Sequence, residues 1–339
     1  MLISLVLSLL AADPGCNAAF ETLGTANAVE SGYVAHVGFV RARIGEAGEP
    51  VWLLLDTGAN RSALDAAFAA RAGLPVLAGS RVEGSAGVIE AGGTRVEGLR
   101  LGGLTLPVIE PTTSDLSGLQ GPGGEPAVGI LGSDALSGLV VVLDFAGGRI
   151  AVAAPSEAAA RAAGCGRVVA THDDNGILRL DAVIDGQALP LRYDSGAGLF
   201  EDPHVWINLT QGQWARVRGE RPEAAPIATL GGSGTGGSLS LPVHLGGRLE
   251  IGPLTWDAPR LIVQPAQGYF ARPEAVGFVG NALFRSQGMV VIDYPGHRLI
   301  LPPAREAVSR RGSPPAVPPP AAGWRGRCRN GRGPWHGPR

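Results

Sequence analysis

Residues 51–59 read VWLLLDTGA, and this stretch decides the fold. A run of apolar, strand-forming residues leads directly into Asp56, and a hydroxyl residue, a glycine and an alanine follow it. A carboxylate after a strand is often only a turn residue. The same arrangement returns, however, at residues 190–197, PLRYDSGA, where Asp194 takes the equivalent place. Two copies of one unusual feature predict an internal repeat.

The repeat continues beyond these two stretches. The first copy is followed by GILG at residues 129–132 and by VVVLDF at residues 140–145. The second copy is followed by GFVG at residues 277–280 and by VVIDY at residues 290–294. A unit of domain size that occurs twice predicts two lobes related by a pseudo-twofold axis.

At these motifs the chain resembles the aspartic peptidases, both the retropepsin-like units and the two-lobed pepsins. The signature of that family is a hydrophobic strand into Asp-Thr/Ser-Gly, followed later by two apolar residues and a glycine. Both halves match it, and the resemblance covers roughly residues 30 to 303. It implies an all-β fold of two acid-protease β-barrel lobes with a few short helices, and it implies hydrolysis of peptide bonds.

The resemblance implies that Asp56 and Asp194 form a catalytic dyad. Two carboxylates at hydrogen-bond distance cannot both ionise freely, so the pair keeps one proton and titrates as a unit. By the same resemblance, two hydroxyls lock the loops together and two glycines leave room for the substrate backbone. The residues that support the dyad are then Thr57, Gly58, Ala59, Ser195, Gly196 and Ala197.

Two glycine-rich segments are candidates for flaps over the substrate. Residues 81–96 predict two strands around glycine turns. The resemblance implies that this hairpin is a mobile flap, whereas composition alone is equally consistent with an ordinary surface hairpin. Residues 231–238 predict either a flexible loop over the cleft or a disordered connection. The candidate substrate-binding residues are Gly84, Ser85, Ala86, Gly87, Gly234, Thr235 and Gly236.

Other local signals predict supporting structure. Residues 65–72 have a helical composition, and Ser156 is positioned to cap a connecting helix that Gly164 ends. Asn-Gly at residues 175–176 predicts a hairpin, and residues 112–127 predict a long surface loop. Asp144 and Asp293 repeat as well, and we interpret both as structural turn residues.

These boundaries divide the chain into five parts. Residues 1–28 are predicted as a leader or signal peptide, with cleavage after Ala12, Ala18 or Ala19. An N-terminal lobe follows at 29–155, then a linker at 156–166 and a C-terminal lobe at 167–303. The tail, 304–339, is rich in proline and arginine and is predicted to be disordered. We favour an exported protein, and a cytoplasmic one remains the alternative.

The composition limits the classes of partner and cofactor that the protein is expected to bind. The 28 basic and 30 acidic residues nearly balance, which argues against a nucleic-acid surface. Neither the six histidines nor the three cysteines have the spacing of a metal site. We favour isolated thiols over a Cys16–Cys165 bridge. No segment after the leader is long and apolar enough to span a bilayer. The sequence predicts a peptide or protein substrate, neither metal nor organic cofactor, and a monomer that is internally a pseudo-dimer.

The second copy departs from the first in two places. Ser195 replaces threonine, and Phe200 stands where equal spacing from the aspartate puts Ser62 in the first copy. One alternative is therefore that the second lobe completes the cleft but contributes only weakly to catalysis. Two further alternatives are a non-catalytic peptide-binding protein and a narrow-specificity processing or self-cleaving peptidase.

Overall fold

The computed structural model describes residues 14–45, 48–198, 204–222 and 225–304. Within these ranges the chain forms 26 mostly short strands and six helices of at most 12 residues. The predicted all-β class is confirmed. The parts of the leader and tail predictions at residues 1–13 and 305–339, together with Cys328, lie outside the described residues.

The first half of the chain contributes thirteen strands. In chain order these are β1 Ala28–Val29, β2 Ser31–Val34, β3 Val37–Arg43, β4 Pro50–Leu55, β5 Ala63–Asp65, β6 Val76–Gly84, β7 Gly87–Thr94, β8 Arg100–Leu101, β9 Leu104–Thr105, β10 Thr112–Ser114, β11 Ala127–Leu131, β12 Val140–Asp144 and β13 Arg149–Ala153.

The second half contributes the same number. These are β14 Arg167–Ala170, β15 His172–Asp174, β16 Ile177–Ile184, β17 Gln187–Tyr193, β18 Trp206–Leu209, β19 Ala228–Gly234, β20 Gly237–Leu245, β21 Arg248–Ile251, β22 Leu254–Asp257, β23 Arg260–Val263, β24 Gly277–Val279, β25 Met289–Asp293 and β26 Arg298–Leu301.

The helices are brief and lie between strands. They are α1 Pro14–Thr25, α2 Ala66–Arg71, α3 Ser133–Leu136, α4 Glu157–Cys165, α5 Gln211–Arg218 and α6 Ala282–Arg285, with 3-10 turns at Pro122–Gly124 and Gly268–Ala271. Asp65 and Thr210 cap α2 and α5 through side-chain oxygens that accept backbone N–H groups. The two caps occupy equivalent places, at the ends of β5 and β18.

The two halves repeat strand for strand in two ten-stranded sheets. The first has the order β6-β7-β10-β5-β11-β4-β3-β8-β9, and β2 pairs with β3. The second has the order β19-β20-β23-β18-β24-β17-β16-β21-β22, and β15 pairs with β16. Each position of one sheet has its counterpart in the other, which is the pseudo-twofold repeat expected from the motifs.

A third sheet of six strands joins the halves, in the order β1-β13-β12-β25-β26-β14. At its centre β12 and β25 are antiparallel, with Val142 opposite Val291. These two valines are also equivalent in the sequence repeat, since each lies two residues before the repeated aspartate. The pseudo-twofold axis therefore passes between them.

The N-terminal helix is part of this joined structure. Phe20 and Leu23 of α1 pack with Val140 and Val291 of the six-stranded sheet and with alanines of α4. A disulfide connects Cys16 of α1 with Cys165 at the end of α4. The expectation that these thiols are isolated is wrong, because helix packing brings together residues 149 positions apart.

Most of the other local expectations are confirmed. Ser156 caps α4, although the helix ends at Cys165 rather than at Gly164. The Asn175–Gly176 turn joins β15 and β16, with positive φ at both residues. The predicted surface loop 112–127 is wrong at its start, because β10 pairs with β5 and β7 inside the first sheet.

Asp144 and Asp293 hold turns, as expected. Each accepts the backbone N–H three residues later and forms an ion pair with the arginine five residues later. The two side chains perform the same structural task on either side of the pseudo-twofold axis.

Candidate active site

Two equivalent strands deliver two aspartates to one place between the lobes. β4 runs parallel to β11, and β17 runs parallel to β24. The backbone N–H of Asp56 donates to the carbonyl of Leu131 at 3.0 Å, and that of Asp194 donates to the carbonyl of Val279 at 2.9 Å. Since strand and aspartate are fixed in the same way, each carboxyl leaves its sheet in an equivalent direction.

The two carboxyls lie close together across the pseudo-twofold axis. Each also touches the glycine of the opposite loop. A Cβ added at Gly58 would collide with the carboxyl of Asp194, and one added at Gly196 would collide with the carboxyl of Asp56. Glycine at these positions is required for the close approach of the loops.

Backbone N–H groups hold the carboxyls in orientation. Gly58 donates to Asp56 Oδ1 at 2.8 Å, and Ala197 donates to Asp194 Oδ1 at 2.9 Å. Burial raises the pKa of Asp56, although these donors and the partner carboxyl counteract it. Burial, and next the negative charge of Asp56, raise the pKa of Asp194 well above its usual range. The arrangement favours one proton held by the pair.

A reciprocal lock joins the loops beneath the carboxyls. Thr57 Oγ1 donates to the carbonyl of Tyr193 at 2.7 Å and accepts the N–H of Ser195 at 2.9 Å. Ser195 Oγ donates to the carbonyl of Leu55 at 2.9 Å and accepts the N–H of Thr57 at 3.0 Å. Both side chains are fully buried. Serine thus performs in the second loop what threonine performs in the first.

The first loop is supported by a second layer of hydrogen bonds. Ser62 Oγ donates to Asp134 Oδ1 at 2.6 Å and accepts the N–H of Gly132 at 3.0 Å. Pairing of β18 with β24 places Ile207 at the equivalent position of the second lobe, where Asn208 lies opposite Phe278 as Ala63 lies opposite Ile130. The second lobe therefore has no hydroxyl at this point.

In the second lobe a different set of hydrogen bonds supports the loop, and the sequence analysis did not predict these bonds. The Tyr193 hydroxyl donates to Asn281 Oδ1 at 2.7 Å, and Asn281 Nδ2 donates to the carbonyls of Ser195 and His36. Tyr193 and Asn281 are fully buried. A hydroxyl within the apolar strand before Asp194 and an amide directly after the GFVG motif were the available signals.

Each lobe carries one long hairpin, and the two hairpins occupy equivalent places in the two sheets. The first is β6–β7, with Ser85 and Ala86 at its turn, and the second is β19–β20, with Thr235 and Gly236 at its turn. Their tips touch, since the N–H of Ala86 donates to the carbonyl of Thr235 at 3.1 Å. We call them the first and second flap.

The second flap differs from what the sequence led us to expect. Residues 231–238 form neither a flexible loop nor a disordered connection, because β19 and β20 pair in register from Ala228 opposite Val243 to Gly234 opposite Gly237. The glycines serve the contact between the tips: an added Cβ at Gly236 would collide with Gly87, and one at Gly84 would collide with Thr235.

Neither a metal cluster nor a membrane-spanning helix is found among the described residues. Within them, no group of three His, Cys, Asp or Glu side chains is arranged to hold a metal ion. No helix in this part of the chain combines the length and the apolar character needed to cross a membrane.

Part of the chain matches a family of known proteins. Residues 40–135, which include Asp56 and Asp134, match the sequence profile of a family described as aspartyl protease. This is the family that the motifs indicated, and the match lies within the first lobe. A search of curated proteins gave no match.

Two of the solved structures that match this chain are aspartic proteases. A retropepsin-like aspartic protease from Rickettsia conorii is 15% identical, with a TM-score of 0.28, and the match covers 40% of this chain and 87% of that one. An aspartic proteinase from Irpex lacteus is 13% identical, with a TM-score of 0.47, and the match covers 83% of this chain and 98% of that one.

Proposed function

We propose that this protein is an aspartic endopeptidase that uses Asp56 and Asp194 as its catalytic dyad. One observation supports the proposal above all others. The two carboxyls, one from each lobe, lie close together, each against the glycine of the opposite loop, and we place the substrate groove above them, under the two flaps. A protein that only binds peptides has no need of two adjoining carboxyls whose mutual repulsion must be balanced.

The chemistry follows from the shared proton. The charged carboxyl takes a proton from a water molecule held between the two, and the water attacks the carbonyl carbon of the scissile peptide bond. The protonated carboxyl donates to the carbonyl oxygen, so that no full negative charge develops there. The backbone N–H groups of Gly58 and Ala197 fix both carboxyls before substrate arrives, which lowers the cost of reorganisation.

The flaps suit an extended peptide. Their touching tips, with the bond from Ala86 to Thr235, close the groove from above. A peptide enters after the tips separate, and the exposed backbone of the glycine-rich tips then becomes available for hydrogen bonds to the peptide backbone. The candidate flap residues Gly84, Ser85, Gly87 and Gly234 lie at or beside these tips.

Two alternatives predict different measurements. A non-catalytic peptide-binding protein would bind peptides and leave them intact. A narrow-specificity processing or self-cleaving peptidase would cut one sequence, or its own chain, and spare a diverse pool. The lock between Thr57 and Ser195 favours a competent second lobe over one that merely completes the cleft, since both loops are supported by equivalent bonds.

The test is cleavage of a diverse peptide pool between acidic and neutral pH, with and without a pepstatin-like inhibitor. Cutting should be inhibited by that compound and unaffected by a chelator. Asp56→Asn and Asp194→Asn should each abolish it while the circular dichroism spectrum stays that of the wild type. Cutting that survives either substitution would refute the dyad, and intact binding without cutting would favour the peptide-binding alternative.

We also propose that the protein is exported and acts as a monomer. The Cys16–Cys165 disulfide supports export, because such bonds persist in oxidising compartments. Retention of Cys16 is compatible with leader cleavage after Ala12 but not after Ala18 or Ala19. Mass spectrometry of the mature protein tests the cleavage site, and light scattering tests the monomer. We also propose an N-terminal lobe at residues 29–155, a linker at 156–166 and a C-terminal lobe at 167–303.

A further inference from the structure

The two lobes differ where they flank the dyad. Leu54 and Arg192 each lie two residues before a catalytic aspartate, and their places in the sheets are equivalent. Leu54 lies opposite Ile130 of β11, and Arg192 lies opposite Phe278 of β24. A leucine on one side and an arginine on the other make the two sides of the groove chemically different.

On the first-lobe side the positions equivalent to Arg192 and its cross-strand neighbour are apolar. Leu54 packs with Phe39 and Trp52, which are buried, and with Ala127 and Ile130. Phe39 is the cross-strand neighbour of Leu54. This side therefore offers a peptide no charged group from these positions.

On the second-lobe side the same positions carry charge. Arg179 is the cross-strand neighbour of Arg192, as Phe39 is of Leu54. Arg192 Nε donates to Asp174 Oδ2 at 2.7 Å, and its guanidinium lies 4.4 Å from the centre of the Tyr269 ring. We call Arg179, Arg192, Asp174 and Tyr269 the cationic face.

This face lies beneath the first flap. Tyr269 belongs to the 3-10 turn Gly268–Ala271, which contacts both strands of that flap. Gln267 Nε2 donates to the carbonyl of Ala86 at 3.3 Å, and Arg272 Nε forms an ion pair with Glu83 at 2.6 Å. The cationic face is thus enclosed between the strand that carries Asp194 and the flap that covers the groove.

One guanidinium on this face lacks a partner among the described residues. Arg192 is paired with Asp174, but Arg179 forms neither a hydrogen bond nor an ion pair within the described residues, and its Nε is buried without an acceptor. Further from Asp194 on the same face, Asp181 Oδ2 lies 2.9 Å from His172 Nε2. One guanidinium with rigid, forked donors remains for an external carboxylate.

We propose that the cationic face is a subsite that selects an acidic side chain of the substrate on one side of the cleaved bond. The inference rests on the proposed peptidase function and adds the substrate class. A glutamate or aspartate side chain would accept hydrogen bonds from Arg179 and complete its unsatisfied donors. The opposite side of the groove, with Leu54 and Phe39, has no counterpart for such a residue.

The test begins with mapping of cleavage sites in the peptide pool at about pH 6, where glutamate is ionised. Pairs of peptides that differ only by Glu or Gln at one position near the cut are then compared. We expect kcat/KM to favour the Glu peptide by about tenfold at one position, since a charge-assisted hydrogen bond contributes on that order. A ratio near one at every position would overturn the inference.

Replacing Arg179 by phenylalanine, the residue at the equivalent position of the first lobe, tests the role of Arg179 directly. Arg179→Phe should lower the Glu/Gln ratio of kcat/KM by about tenfold, to a value near one. If the bulky ring disturbs folding, Arg179→Gln serves the same purpose. Arg161→Gln on the exposed surface of α4 is the matched control and should leave the ratio unchanged. An unchanged ratio in both Arg179 variants would refute the subsite.

Binding separates this inference from the proposed function. The Asp194→Asn protein should bind the labelled Glu peptide about tenfold more tightly than the Gln peptide in fluorescence anisotropy, and salt should reduce the difference. Peptides that are bound with this preference but never cut by the wild type would refute the peptidase and retain the subsite. Cutting without any preference, or no binding of either peptide, would refute the subsite.

Discussion

The lock between Thr57 and Ser195 allows the sharpest test of how the site is built. In Thr57→Val the side chain keeps its shape and loses only Oγ1. The carbonyl of Tyr193 and the N–H of Ser195 then lose the partners that they had at 2.7 and 2.9 Å. Because Thr57 and Ser195 are fully buried, water cannot take the place of the hydroxyl.

The magnitude follows from these two groups. A buried polar group without a partner costs about 1–3 kcal/mol, so Thr57→Val should lower the free energy of unfolding by about 2–6 kcal/mol. This is a large share of the roughly 5–15 kcal/mol that stabilises a folded protein. Urea denaturation followed by circular dichroism measures the loss, and peptide cleavage under native conditions should fall with it because the two loops separate.

Thr255→Val on the exposed side of β22 is the control and should change stability by less than about 0.5 kcal/mol. Ser195→Ala removes the reciprocal hydroxyl, and the double variant should lose less than the sum of the single variants because the two hydroxyls support one junction. A Thr57→Val protein as stable as the control would show that the junction does not hold the lobes, and the reasoning would fail.

Three other predictions concern the site and its frame. Gly196→Ala should abolish cleavage, because the new Cβ collides with the Asp56 carboxyl, whereas Gly138→Ala in open space should retain it. Since burial raises the pKa of Asp194 above 3.8, the folded state binds more protons than the unfolded state above that pH. Stability should therefore fall as pH rises from about 4 toward neutrality, and Asp194→Asn should flatten this trend in urea titrations. Reduction of the disulfide between α1 and α4 should lower the free energy of unfolding by about 2–5 kcal/mol, and a variant without both cysteines should not respond to dithiothreitol.

Features that depend on short-range chemistry were predictable from the sequence. The turn at Asn175–Gly176, the cap at Ser156 and the turn aspartates Asp144 and Asp293 each need only a few neighbouring residues. The dyad loops were predictable for a different reason. Their order of residues occurs twice, and a repeat of that kind carries long-range information that a single copy lacks.

Features that depend on distant packing were not predictable. The disulfide requires α1 to lie on α4, which no local signal specifies. The second flap is rich in glycine and was interpreted as loop or disorder, but pairing along β19 and β20 determines its structure. In the second lobe, Tyr193 and Asn281 support the loop in place of the hydrogen bonds that Ser62 forms in the first lobe. Because these residues do not lie at the position equivalent to Ser62, comparison of equivalent positions could not reveal their role.

The geometry of the dyad belongs to the junction between the lobes and not to either lobe. Each carboxyl touches the glycine of the other loop, and each hydroxyl of the lock bonds the backbone of the opposite strand. The six-stranded sheet sets the separation at which these contacts form, because Val142 and Val291 pair on the pseudo-twofold axis. A shift of one residue in that register would invert every side chain along the paired strands and would remove the lobes from contact at the dyad. Substitutions in β12 or β25 that weaken their pairing should therefore reduce cleavage in proportion to the loss of interlobe stability, although none of these residues touches a substrate.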